Sequence, residues 1–325
     1  MMARAGFALI ALLLAAAPVA AADAPRLSLP IDCEPGKTCY IEDYVDADPG
    51  PGKRDFMCGL KSRENHRGTD IVLLSFDAMA AGVNVLAAAP GVVAATRDGV
   101  ADQPVTPETR DKIKGRECGN AVRLDHGGGW QTLYCHMKRG SVQVRQGDTL
   151  DRGAVLGQVG LSGLTNVPHV HIGVLKDGEI VDPFNPEDRD SCGAATGTGL
   201  WDSALAYDRA GLFTAGFSTA VPGFGAVKSG AARASTAKPD QPLVLYGHAF
   251  YAEPGDRLIF TAQGPDGEIF RHDITLDDPQ AQLFRAYGRK APPAGWPAGA
   301  YRGYVRLQRG QEVLALRHAD ITVAP

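Results

Sequence analysis

The chain has 325 residues, of which 44% are hydrophobic, and its 33 Lys and Arg stand against 37 Asp and Glu for a formal net charge of -4. That length exceeds one average domain of about 150 residues, so a catalytic domain with a second unit is expected. The near balance of charge, with no block of lysines or arginines, excludes a nucleic acid partner bound through a basic surface.

Residues 1–24 read as an export signal. Arg4 precedes an apolar run from Phe7 to Val19, and the small residues Ala20, Ala21 and Ala22 offer cleavage after Ala22 or Ala24. The run is short for a bilayer span of about 20 residues and no later segment is long and apolar enough, so no stable membrane insertion is expected after signal cleavage. An exported chain, periplasmic or secreted, is the expectation. All six cysteines (Cys33, Cys39, Cys58, Cys118, Cys135 and Cys192) follow the cleavage site. Their even number and the lack of a C-x-x-C pair point to disulfides rather than a metal cluster. Cys118 and Cys135 flank a hairpin around Asp125-His126-Gly127-Gly128-Gly129 almost symmetrically and should face each other. Spacing leaves the pairing of the other four open; Cys33 with Cys39 is one candidate, which would leave Cys58 with Cys192 to tie the ends of the central domain together.

Residues 25–60 show little periodicity and a turn cluster at Asp48-Pro49-Gly50-Pro51-Gly52, and are expected to be an irregular lead-in. Residues 61–195 carry short Val, Ile and Leu runs broken by Gly, Asp and Pro: Asp70 to Leu74, Val83 to Ala87, Gly91 to Arg97, Asn120 to Leu124, Trp130 to Cys135 and His169 to Leu175. With almost no helical periodicity, they predict a mostly β, antiparallel domain. A polar stretch from Asp98 to Gly119 is expected on a surface loop. Residues 196–241, small and rich in Gly, Ala and Ser, read as linker and loops. Residues 242–325 resume strands at Pro242 to Ala252, Arg257 to Gln263, Glu268 to Ile274, Tyr301 to Gln308 and Gln311 to Val323, predicting a small immunoglobulin-like β-sandwich.

Three clusters carry the chemistry. His66-Arg67-Gly68-Thr69-Asp70 sets an imidazole and a carboxylate four residues apart, both ligand types for zinc, although a solvated surface pair has the same spacing. In His169-Val170-His171 the two-residue strand period aims both imidazoles at one face, and an unpartnered buried pair would be costly. His136, in Tyr134-Cys135-His136, stands at the end of a strand and could face the same place. His126 reads as surface, and His248, His272 and His318 lack metal-like spacing.

In this order, and with Gly91-Val92-Val93, Gly119 to Gly127, Gly147-Asp148, Gly157, Gly160, Ser162-Gly163 and Val181-Asp182-Pro183 around them, the clusters resemble the lysostaphin/LytM family of zinc metallopeptidases from about His66 to Pro183. The resemblance implies an antiparallel β catalytic domain of LytM type that acts on peptidoglycan peptides. It implies His66, Asp70 and His171 as ligands of Zn2+, with His136 and His169 as the catalytic pair. Three protein ligands leave zinc an open position for water. The residues from Asp98 to Gly119 and from Ser162 to Pro168 depart from the family where its cleft walls lie, so the bond that is cut stays open. Two other readings compete: a catalytically silent protein of the same fold that binds or activates a wall hydrolase, and an envelope binding module working through its sandwich domain.

Overall fold

The structure, a computed structural model, describes residues 23–193 and 197–325; the apolar run of the expected export signal lies outside the described residues. Among the described residues no helix is long and apolar enough to cross a membrane.

Ten strands build a first body: β1 Cys39–Asp43, β2 Thr69–Leu73, β3 Asn84–Leu86, β4 Gly91–Arg97, β5 Asn120–Gly127, β6 Trp130–Met137, β7 Thr149–Leu150, β8 Val155–Gln158, β9 His169–Lys176 and β10 Glu179–Val181. The main sheet runs β1-β2-β9-β6-β5-β4-β7, with β10 on β9, while β3 and β8 pair apart from it. Every pairing in this body is antiparallel. Alternation along β9 sends Val170, Ile172 and Val174 into the core with Leu124, Tyr134 and Trp201, and leaves His169 and His171 on the other face. The three disulfides join Cys33 to Cys39, Cys58 to Cys192 and Cys118 to Cys135. The second of these closes 134 residues and contributes about 4–5 kcal/mol by the loop-entropy argument.

Eight strands build a second body: β11 Gly211–Ser218, β12 Thr236–Ala237, β13 Leu243–Ala252, β14 Arg257–Gly264, β15 Gly267–Thr275, β16 Gln280–Arg289, β17 Gly299–Arg309 and β18 Glu312–Val323. One sheet has the order β11-β13-β16 and the other β12-β18-β17-β14-β15, and residues of both, among them Phe217, Leu245, Phe260 and Val305, share one core.

The structure corrects several expectations. The lead-in is not wholly irregular: β1 lies within it, fully buried and paired to β2. Segment 196–241 is more than a linker, since it holds β11, of which seven of eight residues are buried. Burial on both faces removes the alternation that marks a half-exposed strand, and small residues disguise what remains. β16 was missed because its sequence, QAQLFRAYGR, is polar and only partly buried. His126 is half-buried rather than on the surface: Nδ1 lies 2.7 Å from the Pro90 carbonyl and Nε2 2.8 Å from Thr132 Oγ1.

The two bodies share apolar surface. On β1, Cys39 and Ile41 enter the core of the first body while Tyr40, between them, enters that of the second, where its ring meets Phe213 and Phe250 at 5.9 and 5.2 Å. Lys61 pins the same junction from within. It is 1% exposed, and its Nζ donates to the carbonyls of Ile41 at 2.6 Å and Asp208 at 2.8 Å, with the Phe250 ring 5.1 Å away.

Burial pushes the Lys61 ammonium down to about 8 from its ordinary 10.5, although the Asp208 and Asp55 carboxylates partly oppose the shift. The unfolded chain therefore holds this proton more tightly, and the buried charge costs about 3 kcal/mol below pH 8, a cost that fades as pH rises towards 10.5. Lys61→Met should accordingly gain stability relative to the unsubstituted chain at pH 7 and lose most of that advantage as pH rises from 8 towards 10.5. Urea denaturation across this range checks both the sign and the window.

Candidate metal centre

Strand register assembles the centre. Asp70 on β2 faces Asp43 on β1 and His171 on β9, and His171 faces Cys135 on β6, so one line across four strands carries both Asp70 and His171. His169 lies one strand period from His171, opposite Val72. His136 follows Cys135 where the β6–β9 pairing ends, with φ of 60°, a left-handed conformation that a non-glycine residue rarely adopts. His66 precedes β2 and reaches the line over Gly68. A Cβ at Gly68 would lie 2.5 Å from the Ile172 carbonyl oxygen and 2.6 Å from the His171 ring, so the chain crosses there only because position 68 has no side chain.

The five side chains singled out by the sequence meet at one place, in two groups. In the first, Asp70 is buried, and its Oδ1 lies 2.7 Å from His171 Nδ1 and 3.2 Å from His66 Nε2. One donor atom from each of His66, Asp70 and His171 lies within 4.8 Å of the others, and two imidazoles with a carboxylate suit a borderline cation such as zinc. The Tyr44 carbonyl, 2.7 Å from His66 Nδ1, fixes the tautomer that turns Nε2 inward. In the second group, the rings of His136 and His169 are 4.5 Å apart. His136 Nδ1 donates to the Ser162 carbonyl at 2.8 Å, and His169 Nδ1 to that of Val167 at 3.0 Å. His169 Nε2, 3.6 Å from Asp70 Oδ1, is buried without a hydrogen-bond partner.

Charge is unevenly shared. Burial would raise the Asp70 carboxyl, but His66, His169 and His171 outweigh it and hold Asp70 well below the usual carboxylate range. Burial, reinforced by His169 and His171, pushes His136 well below the ordinary imidazole value. For His169 burial acts in the same direction, but the Asp70 carboxylate overcomes it and raises the imidazole. His136 is therefore the neutral member of the pair and His169 the more basic one.

The centre opens into a cleft of ≈ 800 Å³. The stretch expected as a free surface loop supplies one wall: Val105 to Pro107 and Arg110 line the cleft. Asp102 pins this stretch, its carboxylate accepting from the Leu161 amide at 2.7 Å and the Arg139 amide at 2.8 Å. The opposite wall belongs to the second body, through Lys228, Tyr251, Ala281 and Gln282. Sequence reading missed Arg63, whose guanidinium donates to Asp70 Oδ2 and lies 3.1 Å from His66 Nε2. It missed Glu42, Asp43, Tyr251 and Gln282 as well. The place of Arg63 three residues before His66 was the one available cue; Tyr251 and Gln282 carry none, being remote in sequence from every motif.

Residues 64–183 match the model of Peptidase family M23. The chain carries an M23 peptidase domain. It spans His66, Asp70, His136, His169 and His171, and the second body lies beyond it. No curated protein matches the chain. Among solved structures, the catalytic domain of a mutant of the prophage-encoded M23 protein EnpA from Enterococcus faecalis is 21% identical over 48% of this chain and 93% of that one, with a TM-score of 0.32. The SpoIIQ–SpoIIIAH pore forming complex gives 20% identity, 51% and 94% coverage and a TM-score of 0.33. The catalytic domain of lysostaphin from Staphylococcus simulans gives 18%, 43% and 85%, and 0.28.

Because position 68 of the M23 domain has no room for a methyl group, Gly68→Ala should cost about 1–3 kcal/mol in stability. It should also displace the His171 ring, which denaturation and the imidazole NMR signals of the same variant would show together.

Proposed function

We propose that the chain is a zinc-dependent endopeptidase that hydrolyses peptide cross-links of bacterial peptidoglycan, with His66, Asp70 and His171 as metal ligands and His136 and His169 as the catalytic pair. One observation carries the reading: side chains from three separated segments meet where Asp70 and His169 line a cleft, with the imidazoles of His66 and His171 beside one Asp70 carboxylate oxygen and those of His136 and His169 tied back to carbonyls through Nδ1. When bound, zinc activates a water at neutral pH and polarises the peptide carbonyl.

The chain's own groups manage the protons. With Nδ1–H committed to the Val167 carbonyl, His169 presents Nε2 as an acceptor, and the adjacent Asp70 carboxylate stabilises the imidazolium that forms when a proton arrives there. His136, neutral and tied to Ser162, likewise presents Nε2; it orients a substrate N–H or water first, and can donate to a developing oxyanion only after it has itself taken up a proton. Exchange of these two roles uses the same atoms.

Three disulfides fit an exported, periplasmic or secreted protein. The second body reads as an immunoglobulin-like sandwich on its strand order, a three-stranded sheet against a sheet in which β18, β17 and β14 are successive neighbours.

A silent, partner-binding protein is the second reading, favoured by the guanidinium of Arg63 on Asp70 and beside His66. Digestion of purified peptidoglycan by the mature protein, with chelator and zinc add-back and product masses, separates the two. Zinc-dependent conversion of cross-linked fragments to monomers is expected, and zinc bound without any cleavage favours the silent protein. His136→Ala and His169→Ala should abolish turnover with zinc retained, whereas His171→Ala should lose the metal; equal metal loss in all three would overturn the assignment.

A further inference from the structure

The Asp70 carboxylate is divided between two sets of partners. Oδ1 faces His66, His169 and His171, at 3.2, 3.6 and 2.7 Å, while Oδ2 accepts from Arg63. Arg63 is held in turn: its Nε lies 2.6 Å from Asp43 Oδ2. The other Asp43 oxygen accepts from the hydroxyl of Tyr251, on β13 of the second body. Resting on the metal site proposed above, we infer that Arg63, anchored through Asp43 by Tyr251, is the positioning residue that turns Asp70 so that Oδ1 alone faces the metal.

Three observations carry this. The first is local geometry: between Ile41 and Asp43 the β1–β2 register shifts, so that Asp43 rather than Glu42 stands opposite Asp70. A bulge of this kind re-aims a side chain, and here it sets two carboxylates face to face. The second is electrostatic. Both carboxylates are almost wholly buried, and two neighbouring buried anions are tolerable only with a cation between them, which the planar, two-sided guanidinium supplies. The third is the anchor. Tyr251 is buried at the junction with φ of 48°, one of five non-glycine residues at positive φ among the described residues, and that backbone turn accompanies the reach of its hydroxyl to Asp43.

A carboxylate free to rotate offers a metal either oxygen or both. One whose outer oxygen is clamped offers a single lone-pair direction, and loss of such outer partners typically costs 10–100-fold in metal affinity. The second body then contributes to the metal centre through a hydroxyl that touches no ligand.

The test is zinc affinity of the full mature chain, by competition with a chromophoric chelator, alongside the melting temperature of the metal-free protein. Arg63→Gln should weaken zinc about tenfold, and Arg63→Lys should recover only part of this, because an ammonium cannot bridge two carboxylates as a guanidinium does. Tyr251→Phe, which keeps the ring in the core, should weaken zinc about threefold, less than the direct outer partner. Arg317→Ala is the control for docking alone: it removes a contact between the bodies, to the Gly36 carbonyl at 2.8 Å, that is not joined to Asp70, and zinc affinity should not change. Unchanged or tighter binding in Arg63→Gln, or equal losses in Tyr251→Phe and Arg317→Ala, overturns the inference. Should Arg63→Gln fail to fold, the contrast between the last two decides it. An unsubstituted chain that binds no zinc overturns the metal site as well, a distinguishable failure.

Discussion

A buried carboxylate is expensive unless every lone pair has a partner, and Asp70 is the point at which this chain meets that cost. One oxygen lies among three imidazoles and the other on a guanidinium. The surrounding architecture can be read as the means of delivering those partners. β9 brings two histidines on one face, the glycine crossing at position 68 admits the third, and a bulge in β1 supplies the counter-charge for Arg63.

Much of this was legible in the sequence because strand geometry is periodic. A two-residue spacing in His169-Val170-His171 states that both rings share a face, and the valine between them states which face is the core. The H-x-x-x-D cluster was ambiguous by itself, since a turn can point His66 anywhere; it acquired meaning through resemblance to a family pattern. The cysteines were readable only in part: the hairpin centre pointed to one pair by symmetry, while spacing left the other four cysteines undecided, and the structure pairs Cys33 with Cys39 and Cys58 with Cys192.

What escaped sequence reading shares a physical cause. β1 and β11 are buried on both faces, so they carry no alternation, and short polar or small residues hide them among loops. Tyr251 and Gln282 gain their roles only from tertiary contacts with Asp43 and Glu42, 208 and 240 residues away, for which a single sequence holds no local sign. Lys61 shows the same limit. It stands in Gly59-Leu60-Lys61-Ser62-Arg63, where Leu60 is exposed, yet Lys61 itself lies wholly within the junction.

The split cleft has a consequence for the order in which the protein becomes itself. A ribosome makes His66 first and His171 about a hundred residues later, when nearly all of the M23 segment already exists as chain. The wall formed by Tyr251 and Gln282 is still unmade at that moment. During its own synthesis the molecule therefore passes through a stage at which the histidines are present and the cleft has only one side. The cleft is thus completed only late, after most of the molecule's length has been made.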